Sequence, residues 1–541
     1  MTFDNDMKTN KIISTLSICL LLLGLTTSCK GFLDHRPYSV GETSGDYWNN
    51  PNNLYYAVDA LNRFTSEEGI TGRGIMWLEN CSDNLVTGRS QGDAQIIKNF
   101  EMTGDTGRDQ NENWSTMYGI IAQANDIIKN VKGRTDIPQD LMNFALGNAY
   151  FYRGLSYLWL APWYGDNSIN GGIPNITDET KIDEYDLPRP KSVLVNYDQI
   201  LSDMDKAAEL LPLFSQQADD DYGRPWKGAA WGLAARAALY ASQYDKSYLD
   251  KVIMYCDKIM NLTGADKRGL YPDFTDLFTV KNNFSSEYIF SFMGSATTQA
   301  GPKFHGMSFQ NKGWGAFNFW GYFQPTLELW KAFEEGDIRR GVSIARPGDV
   351  VRFFDTDVQL CVNPADMSSE SGLTFIKWIS PYRSASNAGV EFLPDGNFMS
   401  TTLGMIVVRY ADILLMKAEA LIWKNGEGDA TAKNLLNQIR TRAGLPANSK
   451  ATKAELKNER RCELAFEFCT PRFLDVVRWG DYKLLEQPLH GYDRGYYTET
   501  RKHKEIVVWP ARKFNPQKNQ VFAIPSADIN KHKNLKQNAG Y

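Results

Sequence analysis

The stretch from Gly223 to Gln243 constrains the fold more than any other. A turn at Gly223 to Lys227 runs into a helical segment carrying Ala229, Ala230, Ala234, Ala235, Ala237, Ala238 and Ala241. Alanine favours helix, and small side chains spread around a helix let its neighbours approach closely. Such a segment predicts a helix packed among other helices. The flanking sequence supplies them. Apolar residues at helical spacing predict helices over 111–131, 138–162, 192–211, 227–243 and 249–261. In 111–131 the period is carried by Trp114, Tyr118, Ile121 and Ile128, with Asn125 as a polar break. An earlier helix is predicted to open at Asn50-Pro51, with Asn as cap and Pro in the first turn. Its apolar face is Leu54, Val58, Leu61 and Thr65.

Toward the C-terminus, Val407 to Trp423 reads as helix and Gly426 and Gly428 break it. Ala430 to Ala443 resumes, stopped by Gly444 and Pro446, and Lys453 to Phe468 follows. Helix pairs with short connections predict a mostly α chain built as tetratricopeptide-like helical hairpins, without the exact repeat signature. Residues 66–110 read as irregular, punctuated by glycines, with Ile75, Trp77 and Leu78 arguing for order. Pro162 to Pro190 reads as loop. Residues 262–403, rich in Gly, Pro, Asn and aromatics, predict a loop-rich, ligand-binding elaboration with short strands at Tyr288–Phe292 and Val350–Phe354.

The N-terminus is a processing signal. Lys8 and Lys11 are basic, Ile12 to Leu25 is apolar, and Thr26, Thr27 and Ser28 are small, with Cys29 next. The apolar run falls short of the roughly 20 residues a membrane-spanning helix needs. A cysteine at that point marks a lipoprotein signal, cut before Cys29, whose thiol takes lipid. Thr26 stands where the usual lipobox has Leu. The expected organisation is residues 1–28 as signal, 29–49 as tether and 50–541 as one binding domain.

Composition excludes several classes. Net charge is −5 without basic blocks, which argues against nucleic acid as a partner. Cys81, Cys256, Cys361, Cys462 and Cys469 would remain after processing. An odd, scattered set is no disulfide framework, and they read as buried thiols. No His/Cys pair at ligand spacing suggests metal, and no Gly-Lys-Ser/Thr loop suggests a nucleotide, so no cofactor is expected. Gly88-Arg89-Ser90-Gln91-Gly92 matches the nucleophile-elbow pattern but lacks its strand and helix flanks. The adjacent acids Glu334-Glu335 and Asp219-Asp220-Asp221 read as solvated faces or turns, so the chain is not expected to be an enzyme.

Ordered motifs then carry a family resemblance. They include Phe32-Leu33-Asp34, Arg153, Tyr164-Gly165-Asp166, Gly172-Ile173-Pro174, Pro188-Arg189, Asp203 and Gly223-Arg224. Asp337-Arg339-Arg340, Arg409 to Ala420, Glu459-Arg460-Arg461-Cys462-Glu463-Leu464-Ala465-Phe466-Glu467, then Arg472, Asp475, Arg478-Trp479-Gly480 and the terminal Gln537 to Tyr541 complete the series. Over essentially the whole mature chain it resembles the SusD/RagB family of outer-membrane nutrient-binding lipoproteins. The resemblance implies a lipid anchor at Cys29 on the cell-surface face of the outer membrane. It also implies a SusC-like TonB-dependent transporter as partner, and a glycan ligand or, in some branches, a peptide. Arg460, Arg461, Glu463 and Glu467 are spaced to pair along a helix.

Sugar recognition needs ring faces to stack on and polar groups for hydroxyls. Two loops, in regions where the resembled family builds its sites, offer both. One is Phe304 to Phe323, with Trp314, Trp320 and Tyr322. The other is Arg73 to Ser90, with Arg73, Trp77, Asp83 and Asn84. These seven are the candidate ligand-binding residues. A glycan hydrolase is the competing class, and it would need two acids facing each other across an aromatic cleft.

Overall fold

Asn50 opens the first helix with its own side chain, Oδ1 accepting the backbone N–H of Asn52 at 3.0 Å. In the computed structural model, residues 47–88, 92–167, 169–181, 186–295, 301–304, 320–361, 369–384, 390–391 and 400–541 are described. From Leu54 to Tyr541 the chain packs as one unit. The signal, the tether to residue 46 and Cys29 lie outside the described residues. Helices α1 (Pro51–Leu61), α2 (Arg73–Asn80), α3 (Arg108–Val131), α4 (Gln139–Tyr164), α5 (Leu194–Leu210), α6 (Lys227–Ala241) and α7 (Tyr248–Met260) lead to α8 (Tyr410–Asn425), α9 (Ala430–Arg442) and α10 (Lys453–Glu463). From α3 to α7 each packs on the next; α7 then packs on α8 and α8 on α9, so the mostly α, hairpin-built scaffold is present.

Small residues set the spacing. A Cβ on Gly154 of α4 would come within 2.9 Å of Met204 Cε and 3.2 Å of Asp203 Cβ on α5. Close approach lets charge be buried and paired there. Arg153 donates from Nη2 and Nε to Asp203 at 2.7 and 2.9 Å, and from Nη1 to Asp178 at 2.7 Å. Asn125, the polar break in α3, accepts from Arg153 Nη1 at 2.6 Å and donates to Ile176 O at 3.2 Å. The C-terminus closes a similar clamp: Asn538 donates to Tyr164 O and Phe522 O and accepts from Arg189.

The Ala-rich helix α6 is buried on nearly every side because strands cover the face its helical neighbours leave. Strand β2 (Tyr288–Phe292) pairs antiparallel with β4 (Met405–Arg409). Ile289 and Val408 lie so near Gly232 that a Cβ there would meet them at 3.1 and 3.3 Å. Strands β1 (Leu85–Thr87) and β3 (Phe323–Pro325) pair likewise.

Three sequence expectations are corrected. Residues 66–110 are largely regular: besides α2 and β1 they hold short helices Glu68–Thr71 and Gly92–Lys98. The helix predicted to reach Phe468 stops at Glu463, and Phe466 takes φ +62°. Cys462 and Cys469 therefore do not share a helix; both are buried and free.

The third correction concerns the charged motif. Arg460, Arg461, Glu463 and Glu467 do not pair along a helix. Arg460 meets Asp412 and Asp475, and Arg461 meets Asp83. Glu463 takes Arg339, Arg409 and Arg442, while Glu467 takes Arg409 and Lys377. All but Arg461 have side chains no more than 2% exposed, so each needs a full opposite charge and multiple hydrogen bonds, which carboxylates for Arg460, and arginines and a lysine for the two glutamates, supply from other segments.

Candidate functional site

Two segments of distant sequence meet in a buried two-stranded pairing. Leu85, Val86 and Thr87 of β1 lie opposite Pro325, Gln324 and Phe323 of β3. Thr326 extends the junction, donating from N to Asn84 O at 3.0 Å and from Oγ1 to Asp83 O at 2.7 Å. Gly88 N donates to Tyr322 O at 2.6 Å. A side chain at Gly88 would run into Gln324 Nε2 and Gly321 O, each 2.3 Å from the Cβ position, so the strands close only because Gly stands there. The two loops read from sequence as candidate binding elements are thus neighbours.

Above this junction sits a column of three side chains. Trp320 is half-buried and stacks on Tyr322, ring centroids 5.5 Å apart and planes 13° from parallel. The Arg73 guanidinium lies 5.8 Å from the centroid of the Tyr322 ring. Glu68 fixes Arg73, accepting from Nε at 2.8 Å and also from Nη2. On the same rim, Lys303 N donates to Thr71 Oγ1 at 3.3 Å and Gly301 N to Ser66 Oγ at 2.7 Å. Burial pulls the Lys303 amine down, opposed by Glu68 and Glu67. Glu67, Glu68, Arg73, Lys303 and Trp320 thus offer acceptors, donors and a ring around one small area. Sequence reading missed Glu68 and Lys303. Their only signal was Glu68 five residues before Arg73, a spacing with no helical meaning.

The remaining candidates lie beneath the rim or outside the described residues. Tyr322 is 1% exposed, so it supports Trp320 instead of presenting its own face. Trp77 is buried, its Nε1 without a hydrogen-bond partner among the described residues. Asp83 and Asn84, read from sequence as ligand contacts, are 3% exposed and tied to arginines of the scaffold. Asp83 takes Arg472 Nε and Arg461 Nη2, both at 3.0 Å, and Asn84 Oδ1 accepts from Arg461 Nε at 2.8 Å. Burial opposes the Asp83 charge, but the two guanidiniums prevail and hold its carboxyl well below the usual range. Trp314 lies outside the described residues.

Buried polar groups stiffen the loop behind. Lys98 Nζ donates to the carbonyls of Asn80 and Ser82 at 2.7 and 2.9 Å and also to that of Leu85. Glu79 accepts from Ser82 Oγ at 3.1 Å, and burial pushes its carboxyl up to about 8. Among the described residues no group of three His, Cys, Asp or Glu side chains is placed to hold a metal.

Fold and candidate site together describe a class, a helical-hairpin scaffold on which two sequence-distant loop segments converge. The chain belongs to the SusD family, whose model matches residues 243–541. Residues 32–239 match a second model, described as starch-binding and associating with the outer membrane. A SusD-like protein P2 of Formosa agariphila is 25% identical, the match covering 93% of this chain and 94% of that one. A SusD-like protein of Bacteroides fragilis superposes with TM-score 0.75 at 24% identity, over 92% of this chain and 99% of that one. Surface glycan-binding protein A of Bacteroides thetaiotaomicron, solved with laminarihexaose, superposes with TM-score 0.68 at 18% identity, over 90% and 99%.

Proposed function

We propose that this chain is a cell-surface lipoprotein, anchored through lipid on Cys29 to the outer membrane. It binds oligosaccharide or polysaccharide without cleaving it and passes it to a SusC-like TonB-dependent transporter. The observation that carries the binding reading is the convergence of Arg73, Tyr322 and Trp320 where the two candidate loops join, in a chain of the SusD family. A ring stiffened from behind loses little freedom when a sugar stacks on it, and the charged groups beside it suit hydroxyls. A surface glycan-binding protein of similar fold, solved with laminarihexaose, supports a glycan as ligand class. The anchor and the transporter rest on the residues around Cys29 and on the family.

A peptide ligand is the second reading, favoured by the charged rim of Glu67, Glu68, Arg73 and Lys303. A surface glycan hydrolase is the third. Calorimetry of the mature protein against neutral glycans and against peptides decides between the first two. Glycan binding that weakens in Trp320→Ala supports the proposal; peptide binding alone replaces it. Release of shortened glycan at enzymatic rates would establish the hydrolase.

A further inference from the structure

A second group of rings lies outside the Arg73–Trp320 rim. Tyr222, in the turn before α6, is 37% exposed and stacks on Phe214, centroids 4.9 Å apart and planes 21° from parallel. Phe284 stands 5.4 Å from Tyr222, and Tyr288 stands 5.6 Å from Phe214. Arg268 lies 4.4 Å from the Phe214 ring centroid and 5.0 Å from that of Trp226. It is 5% exposed, and its Nε and Nη2 meet no acceptor among the described residues, so ring faces and guanidinium hold one another. The adjoining Gly223 has φ +103°, and a Cβ there would lie 2.7 Å from Met293 Cγ, which pins the turn. Tyr222 is therefore an exposed ring on a rigid mount.

The strip continues through Arg224, which pairs with Asp59 and Asp221, each at 2.8 Å, and lies 5.4 Å from the Phe144 centroid. Phe144 stands 5.0 Å from Tyr55 of α1, itself 46% exposed. Tyr222, Arg224, Phe144 and Tyr55 thus alternate ring faces with a donor and two acceptors. The buried centre of a protein interface is depleted of charge, whereas a hydroxyl-rich ligand uses rings and charges side by side. Exposed Asp219 and Asp220 beside Tyr222 disfavour a carboxylated or sulfated ligand.

We propose that the Tyr222–Tyr55 strip is a second carbohydrate-contacting surface, which takes a neutral sugar segment of a chain long enough to touch both it and the Trp320 rim. The proposal rests on the carbohydrate reading above. It makes the preferred ligand a long neutral glycan.

The test is calorimetry of a neutral glycan series of increasing length against wild type, Tyr222→Ala, Tyr55→Ala and Trp320→Ala. Tyr55→Ala leaves the Phe214 stack intact, so the strip is tested even if Tyr222→Ala fails to fold. The expected result is a wild-type affinity that rises with length. Each strip variant should lose about tenfold on long chains and nothing on the shortest binder. Trp320→Ala should lose affinity at every length. Unchanged long-chain affinity in both strip variants would overturn the proposal while leaving the Trp320 site standing. A loss confined to capture of the transporter would also overturn it, giving the strip to a protein partner. Wild type that binds no neutral glycan of any length would overturn both sites together.

Discussion

Arg409 and Glu463, 54 residues apart in the chain, meet in the core, Arg409 Nη1 donating to Glu463 Oε1 at 2.6 Å. Arg409 ends β4 and Glu463 ends α10, so the pair joins a strand end to a helix end. Neither is paired only once. Arg409 also reaches Glu287 at 2.5 Å and Glu467 at 2.7 Å, while Glu463 also accepts from Arg339 at 2.9 Å and from Arg442. Burial opposes the Glu463 charge, yet the three guanidiniums hold its carboxyl well below the usual range. A shared network of this kind loses several contacts when one member goes.

Replacing Glu463 by Gln leaves Arg339, Arg409 and Arg442 short of a buried charge. Breaking such a network costs about 3–5 kcal/mol, so Glu463→Gln is expected to move the urea midpoint sharply down. The folded fraction should bind glycan as wild type does, because no network member lies on the Trp320 rim. A midpoint equal to wild type would show that the network carries no net stability.

Trp320→Ala and Asp83→Ala separate binding from scaffold. Trp320→Ala is expected to weaken glycan binding about tenfold with an almost unchanged melting temperature. Asp83→Ala leaves Arg461 and Arg472 without their shared carboxylate and should melt early. Calorimetry beside a thermal melt reads both. Wild-type affinity in Trp320→Ala would place the ligand elsewhere.

Stability should bend with pH in two windows. Glu79, chiefly through burial, sits at about 8 in the folded protein against 4.5 as reference. The folded state therefore keeps a proton that the unfolded chain releases, and stability falls as pH rises from about 4.5 to about 8. Asp412 runs the other way. Burial opposes its charge, but Arg460 and Arg236 bring it from 3.8 to about 2, so its contribution is lost as pH falls through that range. Denaturation curves of Glu79→Gln should lack the first decline and keep the second. A decline of equal size in the variant would assign it to another group.

Cys29→Ala is expected to release the protein from the membrane fraction. In wild type, a membrane-impermeant label on intact cells should reach the mature chain. A Cys29→Ala protein that still sediments with membranes would mean that attachment does not depend on lipid at Cys29.

Much of the scaffold was legible in the sequence because helix formation is local. The period of α3 to α7, the Asn50-Pro51 start and the β2 span from Tyr288 to Phe292 are set by residues within a turn or two of each other. The candidate site was legible as two loops of suitable chemistry, but not as a surface. Arg73 and Trp320 stood out by residue type. Asp83 and Asn84 stood out for the same reason and proved to be internal ties, since a carboxylate that meets sugar and one that meets buried arginine look alike in sequence.

The sequence by itself determined the helical scaffold and the motifs that carry the family. Only the tertiary structure decided which charges pair and which rings reach the surface. The arginines and acids of the 459–467 motif have spacings that would suit one helix, yet their partners come from other segments. Asp83 and Thr326, 243 residues apart, meet only because β1 and β3 do. The physical reason is that backbone preferences act over a few residues, whereas the partner of a buried charge or a stacked ring is set by whichever segments the packed core brings together.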